Sequence, residues 1–487
     1  MNRGRILGPV NARDAETDHF RAHITIADGG IHHMVEDFLD LELARGLKVC
    51  STSAGFADDA ALLVGEQTHC FRAARIYAEN VHTPKIVVQS SLSPRMKRTL
   101  LFAAPLLCTI AAVLAPLQAA GRSDEVRALW VQRASLESTD AIRRMVGSAS
   151  TAGFNTLFVQ AIDDAAAAAQ FDPIGETITQ AHAAGMRVHA WVDVGRVATP
   201  GELPYARTHV IYQHPEWLMV PRAIAAELLA IDARNPDYVG RLARWTRNNT
   251  DRSDGLYISP VQPDAAAYVA ETVRDLARRY AVDGVYFDHV QYPASDFDYS
   301  GKSLAAFRDS MRGQLSLAER QRIDAVEAID PFAYPNELPD QWRLFRQSQL
   351  TALVARLRTI VKTARPDAVV SAAVTPDAAL AAANNLQDWR TWLENGFLDA
   401  LCPMASSVNG TQLAAELEQV QSLAGDKPVW AGIGANRLSQ RETLDDIGVA
   451  RKAGAQGIIL FSYDGLISPP KGIDYLSAIG RGAFDGL

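Results

Sequence analysis

The chain is 487 residues long, with a formal net charge of −8 and 21% charged residues. That balance argues against nucleic acid as a partner, which would call for a basic face. The length allows a full hydrophobic core without disulfide staples, and Cys402 is the one cysteine after residue 120, so no internal disulfide forms there.

In chain order, residues 1–95 come first and read as an over-extended N-terminus or a disordered segment. They hold Cys50, Cys70 and the pair His32 and His33, but not at the compact spacing of a zinc site. Residues 96–120 then carry the three parts of a secretory signal peptide: Met96-Lys97-Arg98, an uncharged apolar run from Leu100 to Leu117, and the small residues around Ala119 and Ala120. Three readings are open. The segment is a cleaved export signal starting at Met96. Or residues 99–117 stay uncleaved as a membrane anchor, near the lower length limit for a span. Or the run is a buried helix of a larger core.

Residues 121–487 predict one α/β domain, a (β/α)8 TIM barrel. Short β-branched and apolar runs recur at 126–133, 155–160, 187–194, 284–289, 368–374, 398–404, 428–434 and 457–463. Amphipathic helical patterns at 174–184, 265–280, 341–364 and 438–453 lie between them. Strand–helix alternation implies a parallel sheet, and eight such units imply closure. Gly153, Gly185, Gly284, Gly396 and Gly454 stand where the preceding helices want left-handed caps. Two long loops follow strands 3 and 4, at about 195–264 and 291–340. They leave the C-terminal ends of strands, the catalytic face of such a barrel. Their many aromatic residues suit either sugar rings or packing onto the barrel.

The fourth strand stops at Asp288. An acid at that end of a barrel strand reads as catalytic; the competing reading is a carboxylate paired with an arginine or capping the next loop. Side chains alternate along a strand, so His289 points away from the face of Asp288 unless the chain bends there. The third strand sets His189, Trp191 and Asp193 on one face, with Arg196 beyond. Gln160, Asp163 and Asp164 close the second strand, Trp430 lies in the seventh, and Tyr463 and Asp464 end the eighth. Acids thus converge on one rim, which is the equipment for glycoside hydrolysis. No strand end offers a Glu, so the proton donor is an Asp or a loop residue such as Glu202 or Glu216. There is no P-loop, dinucleotide fingerprint or zinc motif, and no cofactor or metal is expected.

The ordered motifs EVRALWVQ, GFNTLFVQ, AHAAGMRVHAWVDV, HPEWL, VDGVYFDHVQYP, VSAAVTPD, DWRTWLENGFLDALCPMAS, WAGIGANR and AQGIILFSYDGL extend from Glu125 to Leu466. Together they resemble glycosyl-hydrolase-like family 10, secreted bacterial (β/α)8 barrels. The resemblance implies hydrolysis of a bacterial cell-wall glycan or exopolysaccharide. It maps the family's strand-4 acid onto Asp288, its strand-2 Gln and Asp onto Gln160 and Asp164, and its strand-3 His-Ala-Trp onto His189, Ala190 and Trp191. Three features depart from the family pattern: His289 after the strand-4 acid, Asp193 where Asn is frequent, and an alanine-rich loop after strand 2.

The leading expectation is an exported, periplasmic or extracellular glycoside hydrolase on a polysaccharide. Asp288 would be nucleophile or base, and Asp193 or Asp464 would protonate the leaving oxygen. Gln160, Asp164, His189, Trp191, Arg196, His289, Tyr292, Trp430 and Tyr463 would hold the sugar. The alternative is a non-catalytic glycan-binding barrel of the envelope. A third reading, a cytosolic enzyme on a phosphorylated metabolite gripped by GIGANRLS, sits poorly with the acidity and the export signal.

Overall fold

A computed structural model describes residues 125–161, 171–199, 201, 203–404 and 409–484. The segments read as N-terminal extension (1–95) and signal peptide (96–120), together with Asp163, Asp164 and Glu202, lie outside the described residues.

The described strands, in chain order, are β1 (Val126–Val131), β2 (Thr156–Gln160), β3 (Arg187–Asp193), β4 (Arg196–Ala198), β5 (Leu256–Tyr257), β6 (Gly284–Asp288), β7 (Val369–Val374), β8 (Ala400–Pro403), β9 (Trp430–Ile433) and β10 (Gly457–Leu460). Eight of them form one parallel sheet in the order β8-β7-β6-β3-β2-β1-β10-β9. Bridges Leu401–Val429 and Met404–Gly432 join β8 to β9 and close it into the (β/α)8 barrel that the strand–helix alternation predicts. β4 and β5 pair antiparallel outside the barrel wall.

The N-terminal end of the barrel is pinned by a repeated device. Asn155, Asp283, Asp399 and Gln456 each stand one residue before β2, β6, β8 and β10. Their side-chain oxygens accept the backbone N–H of Arg127, Val188 and Val370 on the neighbouring barrel strands β1, β3 and β7, and of Val429 just before β9, at 3.0, 2.7, 2.9 and 2.8 Å. Each also donates its own N–H to the same residue's carbonyl. Strand-end groups that would otherwise stand unpaired are thereby satisfied.

Gly153, Gly185, Gly396 and Gly454 adopt positive φ, as caps require. Gly284 has a different task. It opens β6 with no positive φ, and a Cβ there would fall 2.5 Å from Nδ1 of His189. Only a missing side chain leaves room for that ring inside the barrel.

Trp130, Phe158, Trp191, Tyr286 and Trp430 fill the barrel interior as one buried cluster. Edge-to-face contacts link them, with Trp130 to Phe158 at 6.1 Å and Phe158 to Tyr286 at 5.1 Å. The interior is therefore a packed core, and only the last inward side chain of each strand reaches the cleft above it.

The two long loops are structured insertions. The first carries helix Pro236–Asn248, started by Asn235 and Pro236, which buries Tyr238, Val239, Leu242, Ala243 and Thr246 along one side. It returns to the barrel through β5. The second carries helices Gly301–Met311 and Leu317–Glu327, and builds a satellite core of Phe307, Met311, Ile323, Tyr334 and Trp342. The fully buried Asp298 joins the two insertions. It accepts from the N–H of Val220 (3.0 Å) in the first and from Ser300 N–H (3.0 Å) and Ser303 Oγ (2.6 Å) in the second.

Candidate active site

Asp193 and Asp288 are register partners, each the last residue of its strand, on adjacent β3 and β6. Both side chains face the cleft with partial exposure, 23% for Asp193 and 16% for Asp288. The chain then bends at His289, whose φ is 48°. This left-handed turn is uncommon for a residue with a side chain. It defeats the strand alternation and swings the imidazole back beside the two acids. Nδ1 lies 2.5 Å from Asp193 Oδ1 and 3.6 Å from Asp288 Oδ1, while the His289 N–H donates to Asp288 Oδ1 at 2.8 Å.

The β4–β5 pair completes the cluster. Gly195 lies so close to the His289 carbonyl and the Tyr257 ring that a Cβ would sit 2.8 and 2.9 Å from them. The close approach brings Asp254 against His289 Nε2 at 3.3 Å and against the Arg196 guanidinium at 3.0 Å, while Tyr257 donates its hydroxyl to Asp254 at 2.8 Å. Arg196 also reaches Asp193 Oδ2 at 3.6 Å.

Burial and charge split the two facing acids. Burial pushes the Asp193 carboxyl up, but the hydrogen bond and charge of His289, with Arg196, outweigh it and hold Asp193 below the usual carboxylate range. Burial also pushes the Asp288 carboxyl up; His289 opposes this, the Asp193 charge adds to it, and the net shift is upward. Burial alone would lower His289, yet Asp288, Asp193 and Asp254 raise it to about 10, so the ring is an imidazolium at neutral pH. Asp254 is held well below the carboxylate range, its burial overridden by His289 and Arg196.

One ligand atom from each of Asp193, Asp288 and His289 lies within 4.8 Å of the others, a spacing that a metal ion could use. What this arrangement does is set a carboxyl shifted upward beside one shifted downward, the differentiation that acid–base cleavage of an acetal uses.

The other expected site residues are placed as follows. Gln160 ends β2, is partly exposed, and accepts from Arg133 N–H at 3.4 Å. His189 is a core residue whose ring lies 4.8 Å from the Phe158 ring at a tilt of 33°; burial, with Arg187, lowers it to about 3. Trp191 and Trp430 are 3% and 5% exposed in the barrel interior, below the reach of a ligand. Tyr292 is fully buried, its hydroxyl turned toward the Arg346 carbonyl. Tyr463 is buried with Ser148 and Arg144 beside its hydroxyl, on the helix Thr139–Thr151 side. Asp464 accepts from Gln132 N–H at 2.8 Å and Ser135 Oγ at 2.6 Å, so it ties the loop after β1 to the loop after β10 rather than joining the carboxylate pair. Glu216 pairs with His214 at 3.4 Å and Lys302 at 3.9 Å. His189, Trp191, Trp430, Tyr292 and Tyr463 are buried in packing, and Asp464 is spent on the loop tie.

Asp254 and Tyr257 are the members of the cluster that the sequence reading missed. The available signal was the Asp-Gly turn opening the apolar run LYISP, a loop-to-strand pattern inside the first insertion.

The model of the family described as glycosyl hydrolase-like 10 matches residues 160–431, from the end of β2 into β9. The chain belongs to this family. The match takes in Asp193, Asp254, Asp288 and His289. Curated relatives named glycosyl hydrolase DigH, from Escherichia coli O6:H1 strain CFT073 and from strain K12, are 22% identical over 315 and 310 residues, in each case 57% of this chain. The chain spans about 58% of their length. Among solved structures, the PgaB (BpsB) glycoside hydrolase domain from Bordetella bronchiseptica is 16% identical with a TM-score of 0.49, covering 73% of this chain and 98% of that one. The catalytic domain of β-amylase from Paenibacillus polymyxa is 10% identical with a TM-score of 0.47, covering 74% and 100%.

Proposed function

We propose that the protein is an exported glycoside hydrolase that cleaves a bacterial polysaccharide, either peptidoglycan glycan strands or an exopolysaccharide. Residues 96–120 would be the export signal and 121–487 the catalytic unit, with 1–95 outside it. Family membership and the names of the curated relatives support the reaction class. The observation that carries the reading is the pair of facing carboxyls, one raised and one lowered, within 4.8 Å of each other.

The electrostatics favour roles opposite to those expected from the sequence. Asp288 keeps its proton to higher pH and acts as general acid on the glycosidic oxygen. Asp193, kept ionised by His289 and Arg196, is the nucleophile at the anomeric carbon. The glycosidic bond breaks as the Asp193–carbon bond forms, and the Asp288 proton leaves with the alcohol. Water then displaces Asp193, giving its proton back to Asp288. This covalent route is the retaining one, so the released sugar is expected to keep its anomeric configuration.

The test is reducing-sugar release from peptide-stripped peptidoglycan and a panel of bacterial exopolysaccharides, with proton NMR of the newly released end. Asp288→Asn is expected to reduce turnover by at least about a hundredfold and leave the melting temperature close to that of the parent. Glycan retention by the folded parent without any release would instead assign a binding barrel, and an inverted product would remove Asp193 as nucleophile.

A further inference from the structure

Across the barrel mouth from β3 and β6, the loops after β9 and β10, with the last helix, line a second, open cleft of about 750 Å³. Arg437, Lys471 and Arg481 line it against a single carboxylate, Asp474. Arg437 and Arg481 have no ion-pair partner among the described residues. Lys471 is held in place, its ammonium donating to the Leu438 carbonyl and lying 4.0 Å over the Tyr475 ring. Asp474 in the lining and Glu442, whose charge acts on Lys471, offset part of this, and in a chain of net charge −8 a small local excess of basic groups remains.

The cleft wall is tied to the end of β10. Asn436, on its wall, donates its N–H to the Phe461 carbonyl at 3.0 Å, and the Phe461 ring lies 5.8 Å from Trp130 in the top layer of the barrel. The chemistry of the wall favours a carboxylate over a phosphate group. Phosphate sites at this end of a barrel draw on free backbone N–H groups at a helix start. Here Ser439 and Glu442 cap helix Gln440–Lys452 reciprocally, and Asp474 places a negative charge in the first turn of helix Ile473–Ala483. Spaced guanidinium groups remain, which suit planar carboxylates.

We propose that this cleft is a remote subsite for the carboxylate of an acidic sugar, several units along the glycan from the bond at Asp288. This makes the substrate an acidic polysaccharide, and rests on the polysaccharide reading above.

The experiment is calorimetric titration of the full chain carrying Asp288→Asn with oligogalacturonate, hyaluronan oligomers and peptide-free peptidoglycan fragments, each before and after chemical reduction of its carboxyl groups. At least one acidic glycan is expected to bind about five- to tenfold tighter than its reduced form, with the difference shrinking as salt is added. Adding Arg437→Gln and Arg481→Gln, both exposed positions, is expected to erase that difference; Arg481→Glu alone is expected to weaken it. The proposal is overturned if no glycan loses affinity on reduction, if the arginine variants bind like their parent, or if inorganic phosphate competes as strongly as the oligomers. Binding needs no turnover, so its failure is separable from failure of the hydrolase reading, which turns on release by the unsubstituted chain.

Discussion

Asp254 lies 58 positions beyond Arg196, yet their side chains meet at 3.0 Å, and the same carboxylate reaches His289. Such a residue is invisible to strand-end reasoning because it enters the site through an insertion rather than from a barrel strand. Asp193, Arg196 and Asp288 were legible because they end strands or stand just beyond them. His289 was legible as a residue but not as a neighbour, since its place depends on a backbone turn that the alternation rule does not foresee. Replacing Asp254 with Asn removes one of the charges that hold the imidazolium. The His289 pKa is then expected to fall from about 10 by about one to two pH units, read from the ring resonances in an NMR titration. Catalysis should show the split between the acids directly. Turnover is expected to fall on the acidic side as the depressed Asp193 gains a proton, and on the basic side as the raised Asp288 loses one. A pH–rate profile with the acid limb below the ordinary carboxylate range and the basic limb above it is the expected result; a single limb would detach one of the two acids from the reaction.

At the scale of elements, the eight barrel strands were legible because apolar runs of strand length alternate with helical periodicity. The layers inside the barrel were not. Trp191 and Trp430 look like sugar platforms in a list of inward residues, and only register shows that further inward side chains stand above them. The polar residues one position before β2, β6, β8 and β10 were also present in the sequence, but their meaning depends on which strands are neighbours. Asp399 shows what they contribute. Besides the Val370 N–H, it meets Arg358 at 2.9 Å and Lys362 at 2.8 Å. Asp399→Ala strands a backbone donor and separates two cations from their partner. A loss of about 1–3 kcal/mol is expected in denaturant melts, with the Michaelis constant unchanged because the residue lies at the end of the barrel opposite the cleft.

For the whole molecule, the site and the stability are coupled through one proton. His289 has a folded-state pKa raised from 6.5 to about 10. Its stabilising contribution is therefore complete below pH 6.5 and is lost as pH rises toward 10. The protein is expected to melt at progressively lower temperature across that window, and His289→Gln should flatten the slope; equal slopes in both proteins would mean that other groups set it. The joint at Asp298 has a consequence for lineage. A buried carboxylate whose donors come from two insertions penalises any recombination that exchanges one insertion alone, because the recipient inherits an acid without its full set of partners. The two insertions should therefore travel through descent as a single heritable cassette, with segment 194–262 varying in step with 289–338 while the helices elsewhere around the barrel drift independently.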